Sequence, residues 1–134
     1  MIKNTLLITG LVMVLQAPVY ANETVDNLLL SYQQQGAGEF SIEAGKNLWT
    51  KEISHDTAPM TRNCASCHGS VLTDTGKHAK TGKIIKAMSP TVNPKRLTEE
   101  EKIEKWLLRN CKWTWGRECS VQEKGDILLF LSTQ

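Results

Sequence analysis

The chain has 134 residues, 40% of them hydrophobic and 22% charged, with a formal net charge of +2 at pH 7. That length suits one domain with one core, and no repeat period points to a solenoid or propeller. Lys3 supplies part of the charge and lies in a leader-like segment, so the rest of the chain is close to neutral and bulk charge makes no case for a nucleic-acid partner.

Residues 1–21 read as a cleaved secretory signal: Lys3 gives the positive start, Leu6 to Leu15 the short apolar run, and Val19-Tyr20-Ala21 the small-residue cleavage region. Thr9, Gly10 and Gln16 interrupt the run, which is shorter than the roughly 20 apolar residues of a spanning helix. Export to the periplasm is expected, with no stable membrane insertion after cleavage. Residues 22–37 read as an N-terminal helical extension that breaks at Gly36-Ala37-Gly38, and the folded domain is expected over residues 38–134. Ser41 caps a helix expected to run through Lys51, with Ile42, Gly45, Leu48 and Trp49 on one face. Residues 52–63 are polar and read as a loop, and residues 74–94, rich in Gly, Lys, Thr and Pro, as an irregular wrap. Two capping boxes follow, Thr98 with Glu101 and Ser120 with Glu123. The first opens a helix expected to end near Asn110, whose apolar face is Ile103, Trp106 and Leu107, with Asn110 as its next member. The last helix carries Ile127, Leu128 and Leu131 on one stripe, and Gly125 permits a close helix crossing. Every long element is helical, so the fold class is all-α.

Cys64-Ala65-Ser66-Cys67-His68 has the form of a haem-attachment signature. Its two thiols lie about one helical turn apart, suited to thioethers with two vinyl groups, and the adjoining His68 reaches the iron. A four-sulfur zinc site of Cys64, Cys67, Cys111 and Cys119 is one competitor, and a thioredoxin-like dithiol is another. An oxidising compartment and the adjacent histidine disfavour zinc, and the absence of βαβ surroundings disfavours the dithiol. One covalent haem c is expected, with His68 as proximal ligand and its second ring nitrogen held by a backbone carbonyl or similar acceptor. The sixth position decides the function. Electron-carrier cytochromes c usually place a Met between the last two helices, but no Met follows Met88; Met60 is too near the attachment site, which leaves Met88.

The segment Arg109 to Cys119 is read as the loop between the last two helices. Its Asn110-Cys111, with Cys119 eight positions on, resembles the SHP (sphaeroides haem protein) family of oxygen-binding c-type cytochromes, related to class I cytochromes c and cytochrome c″. The resemblance covers roughly Gly38 to the C-terminus, including the stretch from Lys83 to Arg109 and Glu123-Lys124-Gly125-Asp126. It implies a class I cytochrome c-like fold, Asn110 as distal ligand to ferric iron, and a distal-side disulfide between Cys111 and Cys119. It also implies an electron donor such as a dihaem cytochrome c or a membrane cytochrome b. The residues alone place Asn110 on the buried face of its helix, in the chain position of a distal ligand; a plain helix C-cap is the alternative. A Cys111–Cys119 bridge would contribute roughly 2.5 kcal/mol through chain entropy. Trp106, Trp113 and Trp115 are expected to pack on the haem and wall the pocket, where an indole N–H can meet a propionate or a bound ligand.

Three functions follow. In the first, Asn110, a weak oxygen donor, leaves the iron on reduction, and the ferrous site takes a diatomic gas: dioxygen, nitric oxide or carbon monoxide. In the second, Met88 ligates iron in both oxidation states and the protein only carries electrons. In the third, bound oxygen, nitric oxide or hydroxylamine is reduced. Lys77, Lys80, Lys83 and Lys86 form a basic stripe that steers an acidic partner or simply meets solvent. His78 is a weaker distal candidate, and Arg62 and Arg117 are candidate propionate partners.

Overall fold

In the computed structural model, residues 22–54 and 61–134 are described. The expected signal, residues 1–21, and Met60 lie outside them. Five helices and one short ladder follow in order: α1 Glu23–Gln34, α2 Ile42–Thr50, α3 Ala65–His68, β1 Gly76–Lys77, β2 Ile84–Ile85, α4 Glu100–Trp115 and α5 Val121–Ser132. The strands pair antiparallel, Gly76 with Ile85 and Lys77 with Ile84, and give the wrap its only regular structure among the described residues. The polar loop before the motif is pinched by an isolated bridge between Ile53 and Arg62.

Local chemistry sets the helix ends. Ser41 Oγ accepts the Ala44 N–H at 3.2 Å, so α2 starts where expected. At α5 the capping box is complete: Ser120 Oγ accepts the Glu123 N–H, and Glu123 Oε2 accepts the Ser120 N–H at 2.8 Å. The box expected at Thr98 does not form. Its hydroxyl donates to the Lys95 carbonyl at 3.0 Å, and α4 begins at Glu100, whose carboxylate and that of Glu101 face the helix dipole's positive end. Nor does α4 end near Asn110. It continues to Trp115 and stops at Gly116, which takes the left-handed conformation at φ 69° and donates to the Lys112 carbonyl. Gly116 is the first glycine after Glu100, and glycine adopts that conformation without a Cβ penalty. Most of the segment read as a loop is therefore helix, and only Gly116 to Ser120 connects α4 to α5.

α5 is the packing centre, against α2 and α1. Ile127, Leu128, Phe130 and Leu131 share one core cluster with Val25, Leu28 and Tyr32 of α1, so the core begins before the Gly36–Gly38 break. The close helix crossing uses a different glycine from the one expected. A Cβ on Gly45 would lie 2.0 Å from the Asp126 carbonyl oxygen, whereas Gly125 faces the Phe40 ring. On the expected α2 face, Gly45 and Trp49 are buried but Ile42 stays 46% exposed, because α2 turns that edge away from α5. Tyr32 Oη donates to Glu104, which also pairs with Lys124 at 2.6 Å, so one carboxylate of α4 ties α1 to α5.

Candidate functional site

A cavity of about 990 Å³ lies between α3, the wrap, α4 and α5; Cys64, Cys67, His68, Met88, Asn110 and Leu128 are among its lining residues. Its size is at the upper end of the roughly 300–1,000 Å³ usual for ligand pockets.

α3 is one turn of helix. The His68 N–H donates to the Cys64 carbonyl at 3.1 Å, and Gly69 ends the turn at φ 79°. Both motif cysteines are free and half-buried. Burial pushes the Cys64 thiol up to about 11, which leaves it protonated and is the opposite of what a reactive dithiol needs. β1 crosses directly behind this turn. A Cβ on Gly76 would sit 2.2 Å from the Cys67 carbonyl oxygen and 2.8 Å from His68 Cα. Glycine is the residue that allows this approach.

His68 is held from the side by Trp49, with ring centroids 5.4 Å apart, and the Trp49 indole N–H donates to the Gly69 carbonyl at 3.0 Å. Burial first, and the Arg96 charge second, hold the imidazole down to about 4, so it is neutral at physiological pH with a lone pair to give. The acceptor expected for its second nitrogen is not found: Nδ1 is buried without a hydrogen-bond partner among the described residues. The turn at α3 directs the Gly69 carbonyl to Trp49 instead.

α4 brings Asn110 to the same cavity. Because the helix runs on to Trp115, Asn110 is interior and the C-cap alternative fails. Its side chain makes no hydrogen bond among the described residues. Cys111 and Cys119 form a disulfide, with both residues buried, pinning the end of α4 to the start of α5. That bond takes two of the four sulfurs, and no cluster of three or more His, Cys, Asp or Glu side chains suited to a metal occurs among the described residues. The zinc alternative therefore fails too.

Trp106, Trp113 and Trp115 all line the cavity. Trp106 and Trp113 remain 49% and 38% exposed, so they wall the opening rather than fill the core. Trp115 packs on the core, and its Nε1–H is buried with no acceptor among the described residues. Each has an arginine over its ring: Arg109 on Trp106, Arg62 on Trp113 and Arg117 on Trp115. Neither arginine expected to meet a propionate lines the cavity: Arg62 donates to the Trp113 carbonyl, and Arg117 grips Glu123 with two bonds. Met88 does line it, partly buried against the core. His78 also lines it but is exposed, and its Nδ1 accepts the Thr81 N–H at 3.1 Å. Of the four stripe lysines, all exposed, only Lys83 reaches the cavity wall. Trp49 and Arg96 are the contributors that sequence reasoning missed, since neither belongs to a motif.

The donor set fits haem c: two thiols one turn apart, a neutral imidazole beside them, and an unpartnered indole N–H on the wall of a cavity of ligand size. Comparison with known proteins agrees. The family described as "Domain of unknown function (DUF1924)" matches residues 35–131. The cytochrome c-type protein SHP of Cereibacter sphaeroides is 36% identical over 124 residues, covering 90% of this chain and 93% of that protein. Cytochrome c″ of Methylophilus methylotrophus is 38% identical over 94 residues, 70% of this chain and 65% of that one. Among solved structures, oxidised SHP, described as an oxygen-binding cytochrome c, superposes with a TM-score of 0.75 at 34% identity over 82% of this chain and 96% of its own. Oxidised cytochrome c″ from Methylophilus methylotrophus gives 0.73 at 28% identity, over 85% and 97%.

The helical fold with its α4–α5 disulfide thus defines an all-α, class I-like c-type cytochrome. Within that class the chain belongs to the SHP and cytochrome c″ family, and haem c is the cofactor this membership implies.

Proposed function

We propose that the protein is an exported, periplasmic monohaem cytochrome whose distal ligand is displaced on reduction, opening a site for diatomic gases. When bound, haem supplies one-electron chemistry and an iron coordination position. Cys64 and Cys67 would hold it by thioethers, and His68, kept neutral by burial and the Arg96 charge and packed beside Trp49, would ligate the iron. Asn110 supplies the distal ligand through its neutral amide oxygen, a weak donor that suits hard ferric iron and binds softer ferrous iron poorly. Trp106, Trp113 and Trp115 limit access of water and ligand, and the Trp115 indole N–H is available to a carboxylate or a bound ligand. No helix among the described residues is long and apolar enough to cross a membrane. Electrons would come from another cytochrome, a dihaem cytochrome c or a membrane cytochrome b.

The observation that carries this reading is the Asn110 amide, interior to α4, on the cavity wall and without a hydrogen-bond partner among the described residues. Optical and paramagnetic resonance spectra of both oxidation states test it. Six-coordinate ferric and five-coordinate, carbon-monoxide-reactive ferrous spectra are expected, with Asn110→Ala changing the ferric spectrum and leaving the ferrous one alone. A ferrous spectrum that stays low-spin and ignores carbon monoxide would sink it. A second reading rests on Met88, which lines the same cavity: a His/Met electron carrier. It requires low-spin iron in both states, unchanged by Asn110→Ala and lost in Met88→Ala.

A further inference from the structure

Among the described residues, one half-buried cation on the cavity wall meets no carboxylate. Arg96 lines the same cavity as His68. Its Nε donates to the Ala87 carbonyl at 3.1 Å and its Nη2 to the Lys86 carbonyl at 2.7 Å. These two carbonyl bonds hold the guanidinium; Asn93 Nδ2 donates to the same Ala87 carbonyl at 3.0 Å but does not bond to the Arg96 side chain. Nη1 makes no hydrogen bond, and no carboxylate among the described residues pairs with this side chain. Other cations of the wall are differently placed: Lys102 pairs with Glu99, Lys112 with Glu118, Arg109 is exposed over the Trp106 ring, and Lys83 and Lys95 are exposed to water.

Carbonyls orient a guanidinium, but they do not cancel its charge, and withdrawing an unpaired cation from water is unfavourable. A braced guanidinium with one N–H₂ group unused is the donor geometry that recognises a carboxylate or phosphate. The occupant of this cavity therefore has to bring the anion. Haem brings two carboxylates, its propionates.

We infer that Arg96 is the positioning residue for a haem propionate, presenting Nη1 to the carboxylate while its two carbonyl bonds fix its own place. This rests on the haem reading of the site. The consequence would reach the iron: a fixed positive charge on the wall of the haem cavity favours the ferrous over the ferric state.

The test uses the haem-loaded protein, with midpoint potential from spectroelectrochemistry and the propionate bending band from resonance Raman spectroscopy. Arg96→Leu should shift the equilibrium about tenfold toward ferric iron, about 59 mV for a one-electron couple. It should also move the propionate band. Arg96→Lys should restore most of the potential yet still alter the band, since an ammonium has no fork; it serves also if the Leu variant fails to fold. Asn93→Ala removes the neighbouring bond to the Ala87 carbonyl without touching charge and should leave both readouts unchanged. An unmoved potential and band in Arg96→Leu would overturn the assignment, as would an unmoved band in Arg96→Lys. So would an Asn93→Ala shift equal to that of Arg96→Leu, which would make the role one of loop structure. If the unmodified protein carried no thioether-bound haem, shown by its pyridine haemochrome spectrum, the underlying haem reading would fail instead.

Discussion

His68 and Asn110 line the same cavity, yet their surroundings differ in kind. The His68 turn is backed by β1 at van der Waals limit and flanked by the Trp49 ring, which is itself hydrogen-bonded to the turn's exit at Gly69. Asn110 sits on a regular helix with no side-chain hydrogen bond, and what is held firmly there is its neighbour Cys111, through the disulfide to Cys119. The His68 side restrains the side chain itself. The Asn110 side restrains only the backbone that carries it. On the proposed function, a ligand that stays would need the first arrangement and one that leaves would need the second.

The largest way to break this contrast is Gly76→Ala. The added methyl would meet backbone atoms of Cys67 and His68, which cannot rotate aside, so a loss of about 3 kcal/mol is expected. Denaturant unfolding measures it, and the proximal ligation spectrum should degrade with it. An unchanged midpoint would mean that β1 does not support the motif. Replacing both Cys111 and Cys119 with Ser should cost roughly 2.5 kcal/mol while leaving the His68 signals intact. Perturbation of the proximal histidine resonances by that change would erase the separation between the two walls.

Trp49→Phe keeps a ring against His68 but removes the bond to the Gly69 carbonyl, for an expected loss of about 1–2 kcal/mol. The sharper readout is heterogeneity of the proximal imidazole in paramagnetic resonance; a single sharp species identical to the unmodified protein would show that Trp49 does not orient the ligand. The smallest effect concerns the α5 cap. Arg117, through its side-chain bonds, holds the Glu123 carboxyl below its usual 4.5, so the cap's contribution is complete above that pH and lost as pH falls through the lower folded value. Between those two values Arg117→Ala should show an earlier acid loss, worth under about 1 kcal/mol, with neutral-pH haem spectra unaffected. An identical acid profile would remove Arg117 from the account.

Much of this was legible from residue order, for identifiable reasons. The Ser41 and Ser120 caps read correctly because each is a local exchange of hydrogen bonds within four residues. Thr98 has the same pattern and fails, because α4 takes Glu99 as its N-cap and Thr98 lies one residue outside it. The expected end of α4 falls too early because Asn110, the polar member closing the apolar face, reads as a stop, although it is accommodated inside the helix and Gly116 supplies the left-handed exit. Gly125 and Gly45 exchange roles because which glycine meets a helix is settled by tertiary packing, not by spacing. For the site, the motif marked α3 and the Asn110 position marked α4. Trp49 and Arg96 stayed hidden, since their parts depend on carbonyls of Gly69, Lys86 and Ala87 that fold back to them across loops.

The unbroken run of α4 to Gly116 also bears on speed. A side chain leaving from the interior of a hydrogen-bonded helix travels by turning about its own χ1 and χ2 bonds, a motion of picoseconds to nanoseconds when unhindered. A ligand mounted on a flexible connection would have to carry backbone with it, on nanoseconds to microseconds. With residue 110 mid-helix, release under the proposed function would need no backbone rearrangement.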